Sequence, residues 1–137
     1  MSNFKQTLKS KIKPKKYKHF NCGSKRGNSL LTQLRVGRSH LNAHLFSINL
    51  SDSDLCLCAR SESVTHFLND CFLYTEERHL LYNSIDKLIP NFSNFTNKMK
   101  TNILLNGINL NSEEIDSRNS KLSYLVQNFI LKSKRFC

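Results

Sequence analysis

Three thiols and one imidazole fall within sixteen residues of this chain: Cys56 and Cys58, then His66, then Cys71. The spacing is C-x-C-x7-H-x4-C. Three thiolates and one neutral imidazole form a closed tetrahedral donor set for zinc, and a bound ion of that kind orders a loop that buries little apolar surface of its own. Taken singly, each cysteine is a small hydrophobe and His66 an ordinary helix histidine. Taken together in a reducing setting, the four point to one zinc ion rather than to disulfides. Four protein ligands leave no position for water, so the expected ion is structural and not catalytic.

Both arms of the set carry a geometric demand. On an ideal helix His66 and Cys71 stand about 140° apart, so a helix there must distort or end before Cys71. The C-x-C arm is shorter than the common two-to-four-residue spacing and strains the chelate. No other group competes with this cluster. His40 and His44 are four apart without a nearby partner set, and they read as solvent-facing or phosphate-contacting. His79 is ordinary, and Asp70 is a single carboxylate. No phosphate-binding, dinucleotide-binding, nucleophile-elbow or H-E-x-x-H motif occurs, so an enzyme is the weakest class.

Charge supplies the second signal. The chain has 137 residues, 21 Lys or Arg against 10 Asp or Glu, and a net charge of +11. Residues 1–51 hold eleven of the basic residues and no acid; the first acid is Asp52. A one-sided block of this kind is the electrostatic footprint of a polyanion, with RNA or DNA the first candidate. Lys13, Lys15, Lys16, Lys18, Lys25, Arg26, Arg35 and Arg38 are the expected contacts. Tyr17, His19 and Phe20 between lysines could stack on unpaired bases. Met1–Phe20 lacks the apolar run of a signal peptide, and no stretch is long enough to span a membrane, so an intracellular protein, nuclear or cytoplasmic, is expected.

The elements that must position these groups read as all-α. A basic flexible arm (1–20) precedes a helical domain (21–137) that contains the Cys/His segment (55–72). Leu30, Leu31, Leu34, Leu41, Leu45, Phe46 and Ile48 recur at three- and four-residue steps, which predicts two short amphipathic helices hinged near Gly37. Arg35 and Arg38 should lie off that stripe, available for phosphates. Thr75 is placed to cap a helix with Glu76 and Glu77 in its first turn that runs to Pro90. Phe92, Phe95, Met99 and Ile103 suggest a further helix ended by Gly107. Asn111 and Glu114 open a long last helix through Ile115, Leu122, Leu125, Val126, Phe129 and Ile130. Lys132, Lys134 and Arg135 sit at its negative end.

Read in order, Leu31-Thr-Gln-Leu-Arg-Val-Gly-Arg-Ser-His-Leu41, Cys56-Leu-Cys58, Thr65-His66-Phe67-Leu68, Cys71, Tyr74 and Arg78 resemble the C-terminal region of non-LTR (LINE-type) retrotransposon reverse transcriptases. Val126-Gln-Asn-Phe-Ile-Leu-Lys-Ser-Lys-Arg-Phe136 resembles the closing segment of such reading frames. The likeness spans about residues 17–136. It implies a zinc-knuckle-like module with Cys56, Cys58, His66 and Cys71 as ligands, and Arg35 and Arg38 on a nucleic-acid backbone. It also implies the element transcript or target DNA as partner, and a polymerase domain elsewhere. The polymerase aspartates and any endonuclease set are absent, so such a module would catalyse nothing. Two positions depart from the family: Phe72 follows the last cysteine where a turn residue is common, and Ala59 stands where glycine is common. A tight turn at Ala59 is strained without glycine. Two other readings remain: a zinc-ordered packing or protein-interaction module, and a remnant of a decayed element.

Overall fold

The computed structural model describes residues 24–108 and 113–136, with the side chains of 113–116 excepted. The basic arm and its Lys13, Lys15, Lys16 and Lys18 therefore lie outside the described residues, as does Asn111. The described chain is mostly helical, and its sole β pairing is a single bridge between Leu55 and Ser61.

Helix α1 spans Lys25–Val36. Ser24 caps it by accepting from the Gly27 N–H, and Gly37 ends it at φ 76°, a left-handed conformation that costs glycine nothing. The expected hinge is there. Its second half differs from expectation, because α2 (Asn42–Ser47) buries none of its residues. Phe46 and Ile48 are about half exposed. Only Leu41, just ahead of α2, continues the apolar stripe into the core.

After the Cys/His segment, α3 spans Thr75–Leu88. Thr75 is not its cap. A short 3₁₀ turn, Phe72–Tyr74, brings the chain in already helical, and the Thr75 hydroxyl donates back to the Phe72 carbonyl. Glu76 and Glu77 occupy the first turn as expected, and the helix stops two residues before Pro90. The next helix is shorter than its apolar spacing suggested. α4 spans Asn97–Asn106, capped by Thr96, while the fully buried Phe92 belongs to a separate 3₁₀ turn and Met99 is half exposed. A second N-cap signal, Thr96, overrode the longer period.

The last helix, α5 (Glu113–Ser133), is the spine of the fold. Leu122, Val126, Phe129 and Ile130 are buried along one stripe, and α5 packs against both α1 and α3. Its approach to α1 is close: a Cβ at Gly27 would stand 2.6 Å from the Gln127 amide oxygen. Gln127 donates to Asn28 Oδ1 at 2.9 Å across the same contact. The core joins Leu30, Leu31 and Leu34 of α1, Leu81 and Ile85 of α3, Phe92, Leu104 of α4, the α5 stripe, and Phe67 and Leu68. Those last two residues come from the Cys/His segment, so the candidate site is built onto the core and does not hang from it.

Candidate metal centre

The four donors reach one point by way of two unusual pieces of backbone. The first is a tight hairpin. Leu55 pairs with Ser61, Cys56 N–H donates to the Arg60 carbonyl at 2.7 Å, and Ala59 N–H donates to the Cys56 carbonyl at 2.9 Å. A three-residue loop of this kind closes through a left-handed residue, usually glycine. Here that residue is Ala59, at φ 73°. The turn holds Cys56 and Cys58 on the inner side while Leu57, 97% exposed, stands at the tip. The short C-x-C arm is thus accommodated, and the cost falls on Ala59.

The second piece is a π turn. His66–Asp70 winds with i→i+5 bonding, and the Cys71 N–H donates to the His66 carbonyl at 2.8 Å. Cys71 then leaves the helix with φ −65° and ψ 122°. This is the distortion the H-x4-C spacing demanded: a wider turn followed by an abrupt exit brings Cys71 back to the side of His66.

Arg78 pins that turn from behind. Its guanidinium is buried and donates to three carbonyls, Phe67 at 2.9 Å, Leu68 at 2.9 Å and Cys71 at 2.6 Å. Carbonyls at a helix end carry partial negative charge that suits a cation, and the Cys71 carbonyl also accepts from the Tyr74 N–H at 3.3 Å. Burial lowers the Arg78 pKa. On the opposite side the Asn69 amide donates to Thr101 of α4 at 2.6 Å and its carbonyl accepts from the Tyr82 hydroxyl.

Within this frame the ligand atoms of Cys56, Cys58, His66 and Cys71 all lie within 4.8 Å of one another. Cys56 Sγ and Cys71 Sγ are 3.6 Å apart, and Cys58 Sγ is 3.1 Å from His66 Nε2. Zinc–sulfur bonds of about 2.3 Å in a tetrahedron set sulfurs about 3.8 Å apart. The group is close enough to hold a metal ion with little movement. His66 presents Nε2, and burial lowers its pKa and favours the neutral imidazole that a metal needs. Burial pushes the Cys56 thiol up to about 12 and raises Cys71 as well. Cys58 is held below its usual range: burial opposes this, but the Arg60 N–H and the neighbouring thiols outweigh it.

A carboxylate braces the hairpin. Glu62 is buried and accepts from Arg135 Nε at 2.7 Å, Arg135 Nη2 at 2.6 Å and the Asn42 N–H at 2.7 Å. Burial alone would raise its pKa, yet Arg135, the Asn42 N–H and the Cys56 thiol together lower it. Glu62, Arg135 and the role of Arg78 carry no local signature in the sequence. Their partners lie 73 residues apart in the first case, and are bare carbonyls in the last.

The expected phosphate contacts separate into distinct settings. Arg35 is turned inward: its Nε donates to the Leu105 carbonyl at 2.7 Å, and burial lowers its pKa to about 10. It braces α1 against the end of α4 and is not displayed for phosphate as its position off the stripe suggested. Arg38 is exposed beyond the α1 cap, and Lys25 and Arg26 are exposed at the α1 start. The four centre residues are brought together, while Arg35 is engaged at Leu105 and Arg26 at Phe136. No known protein family, curated protein or solved structure matches the chain.

Proposed function

We propose that this chain is a nucleic-acid-binding module whose loop at residues 55–72 is shaped by one structural zinc ion. Charge segregation carries the reading: all ten acids follow residue 51, behind eleven basic residues. Zinc suits three sulfurs and one imidazole better than any hard cation would. Cys56, Cys58, His66 and Cys71 would hold it with a full coordination shell. The ion would supply folding energy to the loop and no chemistry. The resemblance to the tail of LINE-type reverse transcriptases agrees with this role, and a polymerase domain on the same or another chain would then supply the catalysis.

The test is binding of a labelled single-stranded RNA by fluorescence anisotropy across salt. Affinity should fall steeply between about 50 and 200 mM salt, as counterion release requires. A salt-independent affinity would sink the reading. Native mass spectrometry should show one zinc in the wild type and none in Cys71→Ser.

One observation favours a second reading. Phe46, Ile48, Leu50, Leu55, Leu57 and Phe72 are all exposed on the segment around the centre. A zinc-ordered module that packs against a protein partner would show such a rim. It predicts self-association, or no affinity for RNA beyond a weak charge effect.

A further inference from the structure

The segment that bears the metal ligands is acidic. Residues 52–78 contain Asp52, Asp54, Glu62, Asp70, Glu76 and Glu77 against Arg60 and Arg78, so 2 − 6 gives −4, and −3 once Arg135 pairs with Glu62. Asp52, Asp70 and Glu76 are exposed. A phosphate backbone laid across this segment would meet repulsion of several charges. The centre is therefore a poor contact surface for the polyanion that the rest of the chain is charged to meet.

The fold collects positive charge elsewhere. The Arg26 guanidinium at the start of α1 donates to the Phe136 carbonyl at 2.9 Å, a contact 110 residues apart in sequence. It draws the chain end beyond α5 to the opening turn of α1. Arg135 anchors that end through Glu62 and through the His40 carbonyl at 3.0 Å, and the Phe136 ring packs edge-on against Phe67 at 5.6 Å. With Arg135 neutralised by Glu62, the charges left displayed are Lys25, Arg26, Lys132 and Lys134, all exposed. Glu113, Glu114 and Asp116 belong to the opposite end of α5, about 30 Å away along 21 residues.

We propose that Lys25 and Arg26 of α1 and Lys132 and Lys134 at the end of α5 form one composite site for a nucleic-acid phosphate backbone, contiguous in sequence with the basic arm. This site rests on the nucleic-acid reading above and moves its contact surface away from the zinc loop. The metal loop acts as its clamp: Glu62 leaves the Cys56–Cys58 hairpin to grip Arg135, which fixes where Lys132 and Lys134 stand.

The experiment compares two double variants with the same change of charge. K132E/K134E alters the proposed site; K87E/K121E alters two exposed lysines along a groove between α3 and α5. Each is titrated against a fluorescein-labelled single-stranded RNA of about 16 nucleotides, and against DNA of the same sequence. K132E/K134E should weaken binding about tenfold or more at low salt and flatten the salt slope by about 1.4, the loss of two phosphate contacts. K87E/K121E should change affinity less than about threefold by that arithmetic. Equal losses in the two variants, or no loss in the first, would overturn the composite site. Absence of binding by the wild type would overturn the nucleic-acid reading instead. Should K132E/K134E lose its helical circular dichroism, the K132Q/K134Q pair takes its place, with the slope change as the same readout. RNA and DNA binding equally marks backbone recognition; a preference for RNA adds a contact to the 2′-hydroxyl.

Discussion

Ala59 shows what a single residue can cost here. It sits at φ 73° in the turn between the two hairpin ligands and the rest of the loop. A Cβ in that region is disfavoured by about 1 to 2 kcal/mol. Ala59→Gly should therefore raise stability by about 1 kcal/mol, offset in part by the freer unfolded chain, and chemical denaturation of the zinc-loaded protein would show it. An unchanged or lower midpoint would mean the turn relaxes around alanine. The thiols make a second prediction at this scale. With Cys56 at about 12 and Cys71 raised by burial, both are protonated at neutral pH without metal. A zinc ion held there would have to displace those protons, so its affinity should fall as pH falls. Titration calorimetry in two buffers of different ionisation enthalpy should report proton release; identical heats would contradict it. Glu62 is linked to pH in the same direction but acts on the fold itself. Its folded pKa is depressed, so its contribution is full above the ordinary carboxylate value of 4.5 and is lost as pH falls through the folded value. Glu62→Gln should cost about 1.5 to 3 kcal/mol at neutral pH and flatten the acid limb of the stability curve.

Among the elements, the π turn at His66–Asp70 and helix α3 depend on each other through Arg78. The Arg78 side chain, in the first turn of α3, donates to the Phe67, Leu68 and Cys71 carbonyls. Lysine cannot reproduce a planar arrangement of donors, so Arg78→Lys should destabilise the protein by about 2 kcal/mol or more. Zinc affinity should fall as well, because Cys71 would no longer be held at the exit of the turn. Competition with a chromophoric chelator measures this. Unchanged affinity would show that the turn forms without Arg78. Helix boundaries were legible wherever a cap residue was strong: Gly37 and Gly107 end their helices, and Pro90 lies just past α3. They were misread where two signals competed. Thr96 captured the start of α4 from the Phe92–Phe95 repeat. The 3₁₀ turn at Phe72–Tyr74 took the capping role from Thr75.

For the molecule as a whole, the balance between metal and core decides what chelation does. Phe67 and Leu68 belong to the same buried cluster as the stripes of α1, α3 and α5. That cluster does not consist of the Cys/His loop, so on the zinc reading proposed above, removing the ion should lower the thermal midpoint and leave a cooperative transition. Helical circular dichroism should persist, while hydrogen exchange quickens across 55–71. Loss of all helical signal on chelation would mean the core cannot stand alone, as in small metal-dependent domains.

Residue type and short spacing alone picked out the four Cys and His side chains that meet, the mostly helical character of the described residues and the gathering of positive charge in the first 51 residues. In these matters local physics is decisive. The fixed angle per residue also required a helix there to distort or to end before Cys71, and the π turn followed by the extended Cys71 does both. Long-range packing set the rest: Arg35 turns inward to Leu105, Phe46 and Ile48 stay exposed, and Arg78 and Glu62 hold the centre. The same applies to the meeting of Arg26 with Phe136. Each depends on groups brought together from distant parts of the chain. Backbone carbonyls, which supply partners for Arg35, Arg78 and Arg26, have no residue signature to read.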